Sequence, residues 1–150
     1  MKLKIGSLAP SFNGFDNNGV LRSTNDLINK SLVLFFYPKD NSPGCTSQVC
    51  SFRDNFHTFR SLNAEVWGIN NSDIKSHQKF SKDFYLPFPL INDKDNKIKN
   101  IYGVNNIFGI SLSRVTFVIN NSKKIILIYE NLLDSNSHIK ESLKVLEKIS

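Results

Sequence analysis

The chain has 150 residues, of which 40% are hydrophobic and 21% charged, and carries a net charge of +6. That balance excludes a disordered segment, and the length suits one domain, residues 1–150, able to bury roughly 70% of the surface its unfolded chain exposes. The lysines are scattered rather than gathered into a basic arm, so no nucleic-acid module is read, and the longest apolar runs, 32–37 and 125–129, are too short to span a bilayer.

The opening "MKLKIGSLAP" has no apolar run behind its lysines, so no secretory signal is read and the expected location is the cytoplasm. In that compartment paired cysteines point to catalysis or metal binding rather than to a stable structural disulfide.

Taken in order, residues 12–15 and 20–21 flank "DNNG", a hairpin turn. Residues 31–37 are almost continuously apolar, as expected of a central strand covered on both faces. From Thr46, the apolar residues Val49, Phe52, Phe56 and Phe59 recur at steps of three and four and predict one amphipathic helix. "AEVWGIN" (64–70) predicts the next strand, with Trp67 in or beside the core. A more polar helix is expected from about Asp73 to Tyr85, using Ile74, Phe80 and Phe84. After "LPFPLIND" come a short helix near 97–102, a strand at 114–120 and a hairpin into "KIILIYE". Ile139, Leu143, Leu146 and Ile149 mark one face of a closing helix. Strand–helix–strand order early and a hairpin late imply an α/β fold with a mixed sheet and helices on both sides.

"YPKDNSPGCTSQVC" (37–50) is the turn from the central strand into the first long helix, and it holds both cysteines. Pro38 ends the strand because it cannot donate to a ladder. Pro43 and Gly44 shape the turn, which puts Cys45 at or just before the first helical turn. Unpaired N–H groups and the positive end of the helix dipole favour an anionic sulfur there, and the thiolate is the nucleophile. His57 and His77 make no recognised ligand spacing with the cysteines, so no zinc site is read. His138 is expected on the surface, and Lys39 and Asp40 have no assigned role.

The stretch "FFYPKDNSPGCTSQVCSFRDN" resembles the active-site segment of the peroxiredoxins, and specifically of the Q type, the bacterioferritin comigratory proteins. The pattern of Pro, three residues, Thr or Ser, two residues and Cys is met by Pro38, Ser42 and Cys45, and Cys50 stands where many Q-type members keep a resolving cysteine. "IGSLAPSF", "YLPFPLI", "YGV" (102–104) and "SRVTFVIN" extend the likeness over the whole chain, with Arg114 at the place of an active-site arginine. Ser42 replaces the commoner Thr, Gln48 stands where Glu is frequent, and the hairpin "NNSKK" lacks the usual Asp-Gly.

The resemblance implies a thioredoxin-like fold and a thiol peroxidase that needs no metal, haem or flavin. Cys45 would attack hydrogen peroxide or an organic hydroperoxide and become a sulfenic acid. Arg114 would stabilise the thiolate and polarise the peroxide, Ser42 would orient sulfur or substrate, and Pro38 would shield the pocket. Cys50 would then form a disulfide with Cys45, to be reduced by thioredoxin or a similar dithiol, in a protein that is often a monomer in this type, with no nucleic-acid or membrane partner. A redox sensor switching slowly through the same cysteines is the alternative. A thiol–disulfide isomerase is a third reading, weakened by the absence of C-x-x-C. The implied disulfide has a geometric consequence. Residues five apart on a helix have Cα atoms roughly 8.6 Å apart, whereas a disulfide needs about 6.8 Å or less. The first turns of this helix are therefore expected to unwind on oxidation.

Overall fold

The computed structural model describes residues 3–104 and 113–150. Its centre is β3, Ser31–Phe36, in which every residue is buried. A run with no polar face settles in mid-sheet, covered on both sides. β4 (Ala64–Asn70) pairs with it in parallel, with Trp67 opposite Leu34; β6 (Val115–Ile119) pairs antiparallel, with Phe117 opposite Leu34. β5 (Leu90–Asn92) flanks β4 and β7 (Ile125–Glu130) flanks β6, giving the order β5-β4-β3-β6-β7. The expected early hairpin is a separate two-stranded ribbon of β1 (Asn13–Phe15) and β2 (Leu21–Ser23).

Alternation along β3 divides the interior in two, since neighbouring side chains on a strand leave by opposite faces. Leu32, Leu34 and Phe36 join Trp67, Phe117, Phe12 and Tyr102 on one face. Val33, Phe35 and Tyr37 join Cys45, Val49, Phe52, Phe59, Phe80 and Leu146 on the other. Phe35 stacks on Phe52 with centroids 4.5 Å apart. The same ring requires Gly68: a Cβ there would lie 2.6 Å from Phe35.

Helices α1 (Pro43–Asp54), α2 (Phe56–Ser61), α3 (Ile74–Asp83) and α5 (Ser137–Ile149) contribute to the second cluster. Short α4 (Lys97–Ile101) contributes Ile98 to the first. The single helix expected through Phe59 is thus two. Asn55 adopts φ −105° and ψ 7°, and its side-chain amide donates to the Ser51 carbonyl at 2.8 Å, competing with the regular ladder. The Phe52 and Phe59 spacing survives the break because both segments pack on one core.

Two further expectations are corrected. His138 is fully buried rather than superficial: Thr116 Oγ1 lies 2.8 Å from its Nδ1, and its Nε2 donates to the Asn131 carbonyl at 2.7 Å. Satisfaction of both ring nitrogens by β6 and the loop before α5 offsets burial of the ring. Ile149, at the end of α5, is 51% exposed, so the apolar face of that helix stops at Leu146.

Candidate active site

The chain leaves β3 through Tyr37 and Pro38 and turns at Asn41, whose φ of 65° is left-handed. That conformation suits asparagine better than most residues. Ser42 is the N-cap of α1 in an extended conformation, and Pro43 opens the helix where its missing N–H is no loss. The Ser42 hydroxyl does not cap the helix; it donates to the Lys39 carbonyl at 3.2 Å and closes the preceding turn. The first-turn amides of Gly44 and Cys45 therefore have no capping side chain from Ser42 and remain donors at the positive end of the helix. Pro38 and Ser42 are both half-buried, whereas Cys45 is wholly buried.

Arg114 immediately precedes β6 and is 4% exposed. Its guanidinium is fixed from three sides. Nε donates to the Leu132 carbonyl at 3.1 Å, Nη1 donates to Gln48 Oε1, and Nη2 reaches Cys45 Sγ at 3.5 Å. Gly44 permits this approach, because a Cβ there would lie 3.1 Å from Nη2. Among the described residues no carboxylate forms an ion pair with Arg114. Gln48 keeps the arginine in place without neutralising it, where a glutamate would. The arginine's charge is thereby left facing the Cys45 sulfur, which has fixed donors on two sides.

Cys50 lies farther along α1, half-buried and a free thiol like Cys45. Both belong to one continuous helix, so their sulfurs are not positioned to bond in this conformation. His57 is exposed, and among the described residues no cluster of His, Cys, Asp and Glu could hold a metal ion.

The residues that sequence reasoning missed lie just before the cysteine. Asp40 is 6% exposed and accepts hydrogen bonds from Tyr37 Oη (2.6 Å), Asn70 Nδ2 (3.2 Å), Ser76 Oγ (2.8 Å) and His77 Nδ1 (2.7 Å). Burial pushes its carboxyl up, but the bond and charge of His77, then the Tyr37 and Ser76 bonds, outweigh this and hold it below the ordinary carboxylate value. Burial, with the charge and bond of Asp40 and the nearness of Cys45, raises the Tyr37 phenol well above its usual range. One sequence signal was available: Ile74, His77, Phe80 and Phe84 recur at steps of three and four, which places His77 on the inward face of α3.

Residues 5–128 match the AhpC/TSA family, and the chain belongs to it. Its relatives there are peroxiredoxins of the Q type, and with them it is a thiol peroxidase that acts on hydroperoxides with a thiol reductant. The chloroplastic peroxiredoxin Q of Populus jackii is 40% identical over 149 residues, covering 99% of this chain and 70% of that protein. Peroxiredoxin Q of Arabidopsis thaliana, also chloroplastic, is 40% identical over 147 residues, covering 97% and 68%. Among solved structures, peroxidoxin BcpB of Mycobacterium tuberculosis superposes with a TM-score of 0.92 at 28% identity, covering 99% of both chains. A cysteine mutant of PrxQ from Xylella fastidiosa superposes with a TM-score of 0.91 at 26% identity, covering 99% and 98%. The thioredoxin-like α/β fold expected from sequence is the fold these structures share.

Proposed function

We propose that Cys45 is the peroxidatic nucleophile, Cys50 the resolving thiol, and thioredoxin or a similar dithiol the reductant. The Cys45 thiolate attacks one oxygen of hydrogen peroxide or an organic hydroperoxide; an S–O bond forms, the O–O bond breaks, and the other oxygen leaves as water or alcohol after taking up a proton. The first-turn amides and the Arg114 guanidinium meet the charge that develops on the oxygens. Cys50 then displaces water from the Cys45 sulfenic acid to give a disulfide, and an external dithiol returns both thiols. Ser42 acts by closing the turn that presents Cys45, and Pro38 by packing beside it.

The observation that carries this reading is the 3.5 Å contact between Arg114 Nη2 and Cys45 Sγ at the start of α1. It is tested by following turnover of hydrogen peroxide, an alkyl hydroperoxide and a lipid hydroperoxide with a thioredoxin system. Repeated turnover is expected, lost in Cys45→Ser. Cys50→Ser is expected to oxidise once and to leave a sulfenic acid that a dimedone-type probe tags. Reversed behaviour of the two variants would overturn the assignment, and stoichiometric oxidation of the native protein that then stops would favour a sensor.

A further inference from the structure

Asp40 and His77 lie outside the groups proposed to touch peroxide or thiol, yet they form a densely bonded polar cluster at the loop before Cys45. His77 Nε2 lies 3.0 Å from the Ile91 carbonyl, which can only accept, so that nitrogen carries a proton. Its Nδ1 lies 2.7 Å from Asp40 Oδ2, a carboxylate oxygen already receiving the Ser76 hydroxyl. Both ring nitrogens thus face acceptors, and the bonded Asp40–His77 pair has side-chain exposures of 4% and 0%. Removing one partner of a pair this deep leaves the other buried without its hydrogen bond, so the pair holds its two segments together firmly.

Those two segments are the loop between β3 and α1 on one side, and α3 with β5 on the other. The loop is tied at Tyr37 and Asp40, and Tyr37 packs in the same cluster as Cys45. Asn70 at the end of β4 holds the same carboxylate. After Asp40 the chain reverses at Asn41 and enters the helix that must unwind if Cys45 and Cys50 are to bond. The cluster is therefore the last fixed point before the part that moves.

We propose that Asp40 and His77 are positioning residues that latch the loop before Cys45, and that the strength of this latch sets the balance between the folded, peroxide-reactive α1 and the unwound form that makes the disulfide. The proposal rests on the two-cysteine cycle given above. A loosened latch lowers the population with Cys45 against Arg114, which slows oxidation, and raises the population in which Cys50 can reach Cys45, which speeds disulfide formation. A purely structural role would not move the two steps in opposite directions.

The test is rapid mixing of the reduced full-length protein with hydrogen peroxide, resolving oxidation from disulfide formation, in native protein and in Asp40→Ala, Asp40→Asn and Ser76→Ala. Asp40→Ala is expected to oxidise about tenfold more slowly and to form its disulfide several-fold faster, as for the loss of hydrogen bonds to a charged group. Asp40→Asn can still accept from Tyr37 and Asn70 and can donate to a neutral His77, so it is expected to recover oxidation to within about threefold. Ser76→Ala removes one bond and leaves the Asp40–His77 bond, and a shift of about two- to threefold in the same opposite directions is expected even if Asp40→Ala does not fold. The two phases of the native protein check the cycle itself; the variants check the latch. Oxidation and resolution slowing together in the Ala variants, or both unchanged in Ser76→Ala, would overturn it, as would Asp40→Asn as impaired as Asp40→Ala.

Discussion

Replacing Arg114 by alanine removes three bonds at once: to the Leu132 carbonyl, to Gln48 Oε1 and to the Cys45 sulfur. At the observed 3.5 Å and an effective dielectric of about 20, a full guanidinium–thiolate attraction is about 5 kcal/mol. Desolvation of the 4% exposed arginine offsets part of it, and a hydrogen bond to a charged group has a net worth of about 1.5–3 kcal/mol. At about 1.4 kcal/mol per factor of ten, Arg114→Ala is expected to slow oxidation of Cys45 at neutral pH by about ten- to hundredfold. Stability should also fall, by about 1–3 kcal/mol, because the Gln48 carboxamide is left with no partner inside the core. Arg114→Lys keeps a charge but offers one ammonium in place of a three-sided fork, so an intermediate rate is expected. Stopped-flow peroxide oxidation and the pH profile of iodoacetamide alkylation measure the first effect, and thermal melting measures the second. Unchanged alkylation and peroxide rates in a folded Arg114→Ala protein would refute the role given to the guanidinium.

Amide hydrogen exchange over residues 43–55 is expected to rise sharply in the disulfide form, while exchange in β3 changes little; equal protection in both redox states, with the Cys45–Cys50 bond established by mass spectrometry, would refute the unwinding. Gly44→Ala should separate stability from rate. Alanine favours the first turn by up to about 1 kcal/mol, but its Cβ at 3.1 Å displaces Nη2, so peroxide oxidation is expected to fall without loss of melting temperature. Burial first, and then the nearby Arg114 charge, holds His138 below its ordinary value despite the bond to Asn131. The unfolded chain then binds the proton more readily, so the stability His138 contributes is complete above about pH 6.5 and is lost as pH falls through its lower folded value. Melting curves from pH 7.5 to 5 should show this slope, and His138→Gln, which can keep both bonds, should flatten it.

The features legible in the sequence are those whose signal is local. β3 and β4 announce themselves as apolar runs, and Cys45 by the turn and helix start around it. Arg114 was legible only through its resemblance to a family pattern, since nothing local distinguishes it from a surface arginine. The features that were not legible depend on partners far along the chain. His138 is buried because Thr116 and Asn131 receive it, and Asp40 because Asn70, Ser76 and His77 converge on it. The three residues of β5 carry too little pattern to be read, and they form a strand because β4 offers its edge. Asn55 breaks a continuous apolar periodicity through a side-chain bond that periodicity does not encode.

The break at Asn55 also limits how far unwinding has to spread in the proposed cycle. Helices melt cooperatively, and fraying spreads along an uninterrupted ladder. With α1 ended at Asp54, unwinding around the cysteines need not travel into α2, where Phe59 stays seated in the core. Local unfolding of a packed segment takes from microseconds to seconds, and confining it to α1 keeps the segment that must leave the core short. In the proposed cycle, the segment rearranged between sulfenic acid and disulfide is then the loop and α1 alone, with α2 and the core beneath it staying in place.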